Sequence, residues 1–276
     1  MAKRQPGRSG RGRSVTLALG VEGAAIATAL SYSLSGIFML YACFKNEALA
    51  WRFKGTRPDK PLLRDYFRIG SPVLGSSVVS CLGYVVFASL VSGMGTTVFA
   101  AHSIAVTAET IFYVPGYGLR SASSTLIGNA RGERNGEKLK EVGRLSVLLT
   151  IAVMLFSGIL LYFGSGTLMR LFTPDARVAA LGADMLKIVA FSEPFFGLMI
   201  VLEGILYGLG RTRYSFFVET VGMWAVRIFF TFLCVRVWDL GLNAVWYCMI
   251  ADNITKALLF AAPFVIKKTR RRLLSV

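Results

Sequence analysis

Two carboxylates sit inside long apolar stretches of this sequence, each close to a proline. Glu109 lies six residues before Pro115 and Gly116 in AETIFYVPG, and Glu193 directly precedes Pro194 in SEPFFG. A carboxylate held in hydrocarbon costs roughly 2.5–3.5 kcal/mol on insertion scales, so one retained there has work to do. That work is either proton relay or cation binding, or it is a helix–helix hydrogen bond. A proline in such a helix frees a carbonyl that a neighbouring helix or water must satisfy, and it offers a point to bend. Pro115, Gly116 and Pro194 are therefore read as helix breaks, and Glu193 and Glu109 as the candidates to couple a cation or proton.

A second set of charges reads as structural. Asp252 and Lys256 are four residues apart with the acid first, the spacing of an intrahelical ion pair. Glu219 and Arg227 are eight apart, roughly 12 Å along a helix, too far to bond directly, so Arg227 is expected to pair across to another helix. Glu203, just before the GLGRTR hairpin, is expected to pair with Arg211 or Arg213. Arg120 either snorkels toward the headgroups or neutralises one of the acids. His102 reads as a satisfied polar residue at a membrane interface.

The elements that must position these groups are apolar helices. Seven stretches, near 15–43, 70–95, 98–127, 142–164, 185–208, 215–237 and 241–266, approach or exceed the ~20 residues needed to span a bilayer. Period-two patterning is absent, which argues against a β-barrel. With 54% apolar and 17% charged residues, the chain is too apolar for an ordinary soluble domain. The fold expected is an all-α polytopic transmembrane bundle.

The net charge of +16 comes from basic runs between the apolar stretches, a pattern suited to anionic headgroups and not to nucleic acid. The linkers 45–68, 131–144 and 211–213 and the carboxyl-terminal tail hold seven, five, two and five Lys/Arg. The alternate linkers 93–97, 165–184 and 236–240 hold none, two and one, which places the carboxyl terminus in the cytoplasm of a multi-pass cell-membrane protein. Seven spans then put the amino terminus outside, against the five Lys/Arg of residues 1–14. The division expected is a basic disordered tail at 1–14, a span at 15–44, a basic linker at 45–69, a six-helix lobe at 70–268 and a basic tail at 269–276.

No constellation points to an enzyme. The single His has no metal partner, and no Ser/His/Asp set is apparent. Cys43, Cys81, Cys234 and Cys248 lie far apart in apolar segments without a CxxC spacing, so they read as packing residues with no metal site. GNARGERNG at 128–136 lacks the GK[ST] ending of a phosphate loop and reads as an interhelical loop. Aromatics such as Tyr84, Phe112, Tyr113, Tyr117, Phe195, Phe196, Trp224 and Trp246 belong to the core or the interfacial belt, with a subset free to face flat cationic compounds.

Five short motifs stand in order: GVEGAAIATALS at 20–31, AAHSIA at 100–105, PGYGLRSASSTLIGNARGERN at 115–135, GILYGLGRTR at 204–213 and DLGLNAVW at 239–246. Together they resemble the carboxyl-terminal half of the multidrug and toxic compound extrusion (MATE) family. The resemblance implies a six-helix lobe preceded by the sixth family helix, and export of organic cations in exchange for H⁺ or Na⁺. It implies no cofactor beyond that ion, and as partners it implies small organic substrates, the bilayer, and an amino-terminal lobe or a second copy. The family's seventh-helix carboxylate position falls on Ser80 and its tenth-helix acid falls nearest Phe196, so the usual coupling residues do not carry over. A lipid-linked oligosaccharide flippase and a non-transporting truncated membrane subunit stand as alternatives; the flippase would show a wide basic cavity.

Overall fold

The computed structural model describes residues 20–45 and 59–266, in two units, Met1–Asp59 and Lys60–Val276. In the first unit, α1 (Gly20–Lys45) carries an apolar window at Ala25–Lys45 with a mean hydropathy of 1.5, long enough to cross a bilayer. The basic tails 1–14 and 269–276 and most of the linker lie outside the described residues.

The second unit begins with α2 (Lys60–Ser92), so residues 60–69, expected in the linker, are helical. Next come α3 (Thr96–Gly132) and α4 (Gly136–Phe172), each 37 residues and roughly 55 Å long at ~1.5 Å per residue. The stretches at 98–127 and 142–164 are thus only the apolar centres of helices that run on past a hydrocarbon layer ~30 Å thick. The turn between α2 and α3 uses Gly95 at φ 111°, a left-handed conformation that a side chain would strain. Asn135 caps α4 by accepting from the Lys138 backbone N–H at 3.0 Å.

The fifth expected span is two helices. α5 (Ala176–Ala190) and α6 (Glu193–Gly208) meet at a 58° bend, with Pro194 in the first turn of α6, where its missing N–H costs nothing. The expected break at Pro115 and Gly116 is not there, because α3 continues through both. Bilayer helices accommodate an interior proline when neighbours close around it, and a side chain at Gly116 would press on Met154 of α4. α7 (Thr212–Val237) contains two π-helical stretches, Val221–Ile228 and Leu233–Val237, and α8 (Leu242–Val265) closes the bundle.

Buried apolar side chains form two separate cores. One gathers Phe87, Val91, Ala105, Leu161, Met169, Leu186 and Trp246; the other gathers Ile127, Leu139, Ile200, Leu206, Val218 and Phe260. Along α8 the first core ends at Met249 and the second begins at Ala257, and Asp252, Asn253 and Lys256 stand between them. Glu193 and Arg227 fall in the same gap on their own helices, and Glu109 lies at the edge of the first core, between Ala108 and Phe112. The lobe is therefore two apolar clamps with a polar layer between. Leu and Phe side chains left exposed on α2 and α4 face outward, as suits contact with lipid.

Candidate functional site

The polar layer surrounds a cavity of about 320 Å³ walled by α2, α3, α6, α7 and α8. On one wall the four charges read as structural come together. Arg227 Nε lies 2.8 Å from Asp252 Oδ2, Lys256 Nζ lies 3.3 Å from the same oxygen, and Lys256 Nζ donates to Glu219 Oε2 at 3.0 Å. Arg227 also donates to Asn253 Oδ1 at 3.3 Å and lies over the rings of Tyr84 and Phe87 at 5.6 and 5.8 Å. The pairing of Arg227 across to another helix is thus observed, and its partner is Asp252, 0% exposed. Four charges linked end to end sum to zero, the condition for holding them away from water. Gly222 on α7 makes the room, since a Cβ there would run into the Lys256 and Asp252 side chains.

The opposite wall carries a second pair. Arg120 of α3 donates to Glu203 Oε2 at 2.7 Å, and the Tyr207 hydroxyl donates to Glu203 Oε1 at 2.7 Å. The Arg120 guanidinium lies over Tyr117 at 4.9 Å, a cation–π contact. This corrects the expected partner of Glu203, which turns into the bundle and not toward Arg211 or Arg213. The cause is Gly204, where a Cβ would come within 2.6 Å of the Arg120 carbonyl oxygen, so its absence lets α3 and α6 close together.

Between the walls stand Tyr113, Tyr117 and Phe196, with ring centroids 5.6–6.2 Å apart and tilted or edge-on to one another. With Tyr84 they are the aromatics of the earlier set that line the cavity. Phe195 borders another hollow, Trp246 is sealed in the first core, and Trp224 donates to the Val79 carbonyl at 3.3 Å. His102 is not interfacial: it is 6% exposed, wedged between Phe87 and Trp246, with Nδ1 lacking a hydrogen-bond partner. Ser80, the position where a charge is lacking, lines the cavity together with Ser76 and Ser77.

Of the carboxylates within the apolar spans, two among the described residues stay outside both networks, Glu109 and Glu193. Glu109 lines the cavity with no ion-pair or hydrogen-bond partner among the described residues. Glu193 is 2% exposed at the α5–α6 bend, packed against Gly158 of α4, and its Oε2 has no hydrogen-bond partner. It does not line the cavity. Among the described residues no three His, Cys, Asp or Glu gather as a metal cluster.

The MatE family model matches residues 72–233 of this chain. The chain belongs to the MatE family. Among MatE relatives, a probable multidrug resistance protein NorM of Thermotoga maritima is 29% identical over 255 residues, covering 92% of this chain and 55% of that protein. A second probable NorM, of Photorhabdus laumondii, is 27% identical over 259 residues, with 92% and 56% covered. The chain thus spans about half the length of these relatives. Among solved structures, the outward-facing conformation of a multidrug resistance MATE family transporter superposes with a TM-score of 0.80 at 22% identity, over 94% of this chain and 57% of the other. A MOP superfamily transporter from Pyrococcus furiosus superposes at 0.79 with 21% identity and the same coverages. This MatE chain is a multi-pass membrane protein: among the described residues six helices are long and apolar enough to cross a bilayer, or seven if the bent pair α5–α6 is one crossing.

Proposed function

We propose that this chain works as one lobe of an efflux transporter that exports drugs or other organic, cationic compounds in exchange for H⁺ or Na⁺, with its carboxyl terminus in the cytoplasm. The observation that carries this reading is the pair of carboxylates left over once every other charge at the cavity is paired. Arg120 is held by Glu203, and Arg227 and Lys256 are held by Asp252 and Glu219. Glu109 alone presents unpaired negative charge to the cavity, among tyrosine rings that attract cations. Glu193, buried behind it with a free oxygen, is the natural second seat for a proton or small cation.

Occupancy by the coupling ion and occupancy by a cationic substrate would then exclude each other, since both neutralise the same carboxylates. That exclusion is the core of exchange by alternating access. One charge moved through ~100 mV supplies about 2.3 kcal/mol, enough to hold a gradient of roughly fiftyfold. The chain spans 55–56% of the length of the NorM relatives, and the second lobe that such a cycle needs corresponds to the part of them that it does not cover. The paired state of all three cavity cations argues against a basic, flippase-like cavity.

The test is ion-driven uptake of a cationic dye into proteoliposomes that hold the complete two-lobed transporter, comparing the parent with Glu109→Gln and Glu193→Gln. Loss of gradient-driven uptake in both variants, with insertion intact, supports the reading. Full transport by both would sink it.

A further inference from the structure

A second hollow, of about 380 Å³, opens where α3, α4, α6 and α8 meet, away from the central cavity. Its floor is apolar and made of buried side chains: Ile127, Leu139, Leu202, Ile205 and Leu209. Its lip is different in kind. Lys140 and Arg144 stand one helical turn apart on α4, both exposed, and neither has a carboxylate within ion-pair distance among the described residues. The neighbouring Lys138 is taken by Glu133 at 2.8 Å, and Glu137 and Glu141 do not line the hollow. Charge of the same sign gathers around it. Arg131 donates to the carbonyl of Leu209 on the floor.

A greasy groove with two free cations at one end matches one kind of molecule, an amphiphile with an anionic head. We propose that this groove is a binding site for an anionic phospholipid, with the phosphate on Lys140 and Arg144 and an acyl chain along the floor. An apolar groove alone would take any lipid tail, so the unpaired cation pair is what selects the head. The two cations also differ usefully: Arg144 can hold two phosphate oxygens at once, while Lys140 acts as a point charge. Gly143 keeps the groove open, because a Cβ there would meet only Ile127 Cδ1 at 3.8 Å, an ordinary contact with space beyond. The site stands apart from the transport reading and does not depend on it.

The experiment is native mass spectrometry of the purified chain in detergent, titrated separately with dioleoyl phosphatidylglycerol, dioleoyl phosphatidylcholine and glycerol phosphate. The expected result is selective retention of phosphatidylglycerol. In K140Q/R144Q that affinity should weaken by roughly thirtyfold, equivalent to about 2 kcal/mol for two basic groups near a headgroup. G143L, which fills the tail groove and leaves both charges, should weaken it as well. Because Lys140 and Arg144 are exposed and unpaired, the double variant should keep its helix content, and circular dichroism checks this. K60Q/R64Q, which alters the separate basic cleft at the start of α2, should retain phosphatidylglycerol as the parent chain does. Equal retention of both phospholipids, unchanged binding in K140Q/R144Q, loss of binding in K60Q/R64Q, or glycerol phosphate binding as tightly as the lipid would each overturn the proposal.

Discussion

Asp252→Asn is the sharpest test of the charge chain between α7 and α8. The substitution is nearly isosteric, so any loss is electrostatic. Asp252 Oδ2 is shared by Arg227 at 2.8 Å and Lys256 at 3.3 Å, and it is the only acid among the described residues paired to Arg227. Removing its charge leaves two buried cations facing one carboxylate, Glu219, which reaches only Lys256. Stranding a buried charge in this way costs about 3–5 kcal/mol, whereas loss of an ordinary interhelical hydrogen bond in a bilayer averages about 0.6 kcal/mol. Against a total stability of roughly 5–15 kcal/mol, the larger figure is a folding defect and the smaller is barely measurable. The matched control is Lys256→Met with Glu219→Gln, which deletes one whole pair and leaves Arg227 with Asp252; its expected change is near zero or slightly stabilising. Unfolding of the purified chain in mixed micelles with rising sodium dodecyl sulfate reads both. A loss below about 1 kcal/mol for Asp252→Asn, or equal losses for it and the double variant, would refute the reasoning.

Further outcomes follow from other parts of the bundle. Gly204→Leu should cost about 1–3 kcal/mol and part Arg120 from Glu203, because α3 closes on α6 with no room for a side chain; a thermal melt in detergent checks the first and an R120M/G204L cycle the second. Cys234 and Cys248 hold their sulfurs 3.7 Å apart across α7 and α8, so copper-phenanthroline should link them, and peptide mapping that finds them unlinked would contradict that packing. A cytoplasmic reporter fused after Val276 should be active and one inserted near Gly95 silent, with the reverse pattern contradicting the basic-loop orientation.

The sequence was most legible where a local rule was enough. Apolar length located all six of the described helices that are long enough to cross, and the i,i+4 spacing of Asp252 and Lys256 gave a contact that the structure contains. Arg227 could be assigned a partner on another helix because a lone cation in such a stretch must have one. Its identity depended on the α7–α8 packing, which no spacing encodes. Glu203 shows the same limit more plainly. Two arginines lie within ten residues of it, yet the partner is Arg120, 83 positions away, brought close by a glycine whose effect exists only in three dimensions. Pro115 and Pro194 look alike in the sequence and differ in outcome. One sits where neighbouring helices close around it, and the other falls at the first turn of a helix, where the chain can bend freely. The division into two cores was not legible at all, since apolar residues run unbroken through the centres of the long helices and only packing separates the two groups.

That division bears on how such a protein can change over generations. The residues that line the central cavity lie in a middle layer, and the side chains that fasten the helices lie above and below it. Substitutions more than about 7–10 Å apart with no shared partner add independently in stability, so most changes to the layer leave either fastening intact. Chemistry at the centre can drift toward new compounds while the frame stays fixed, provided each charge that is gained or lost is matched by another.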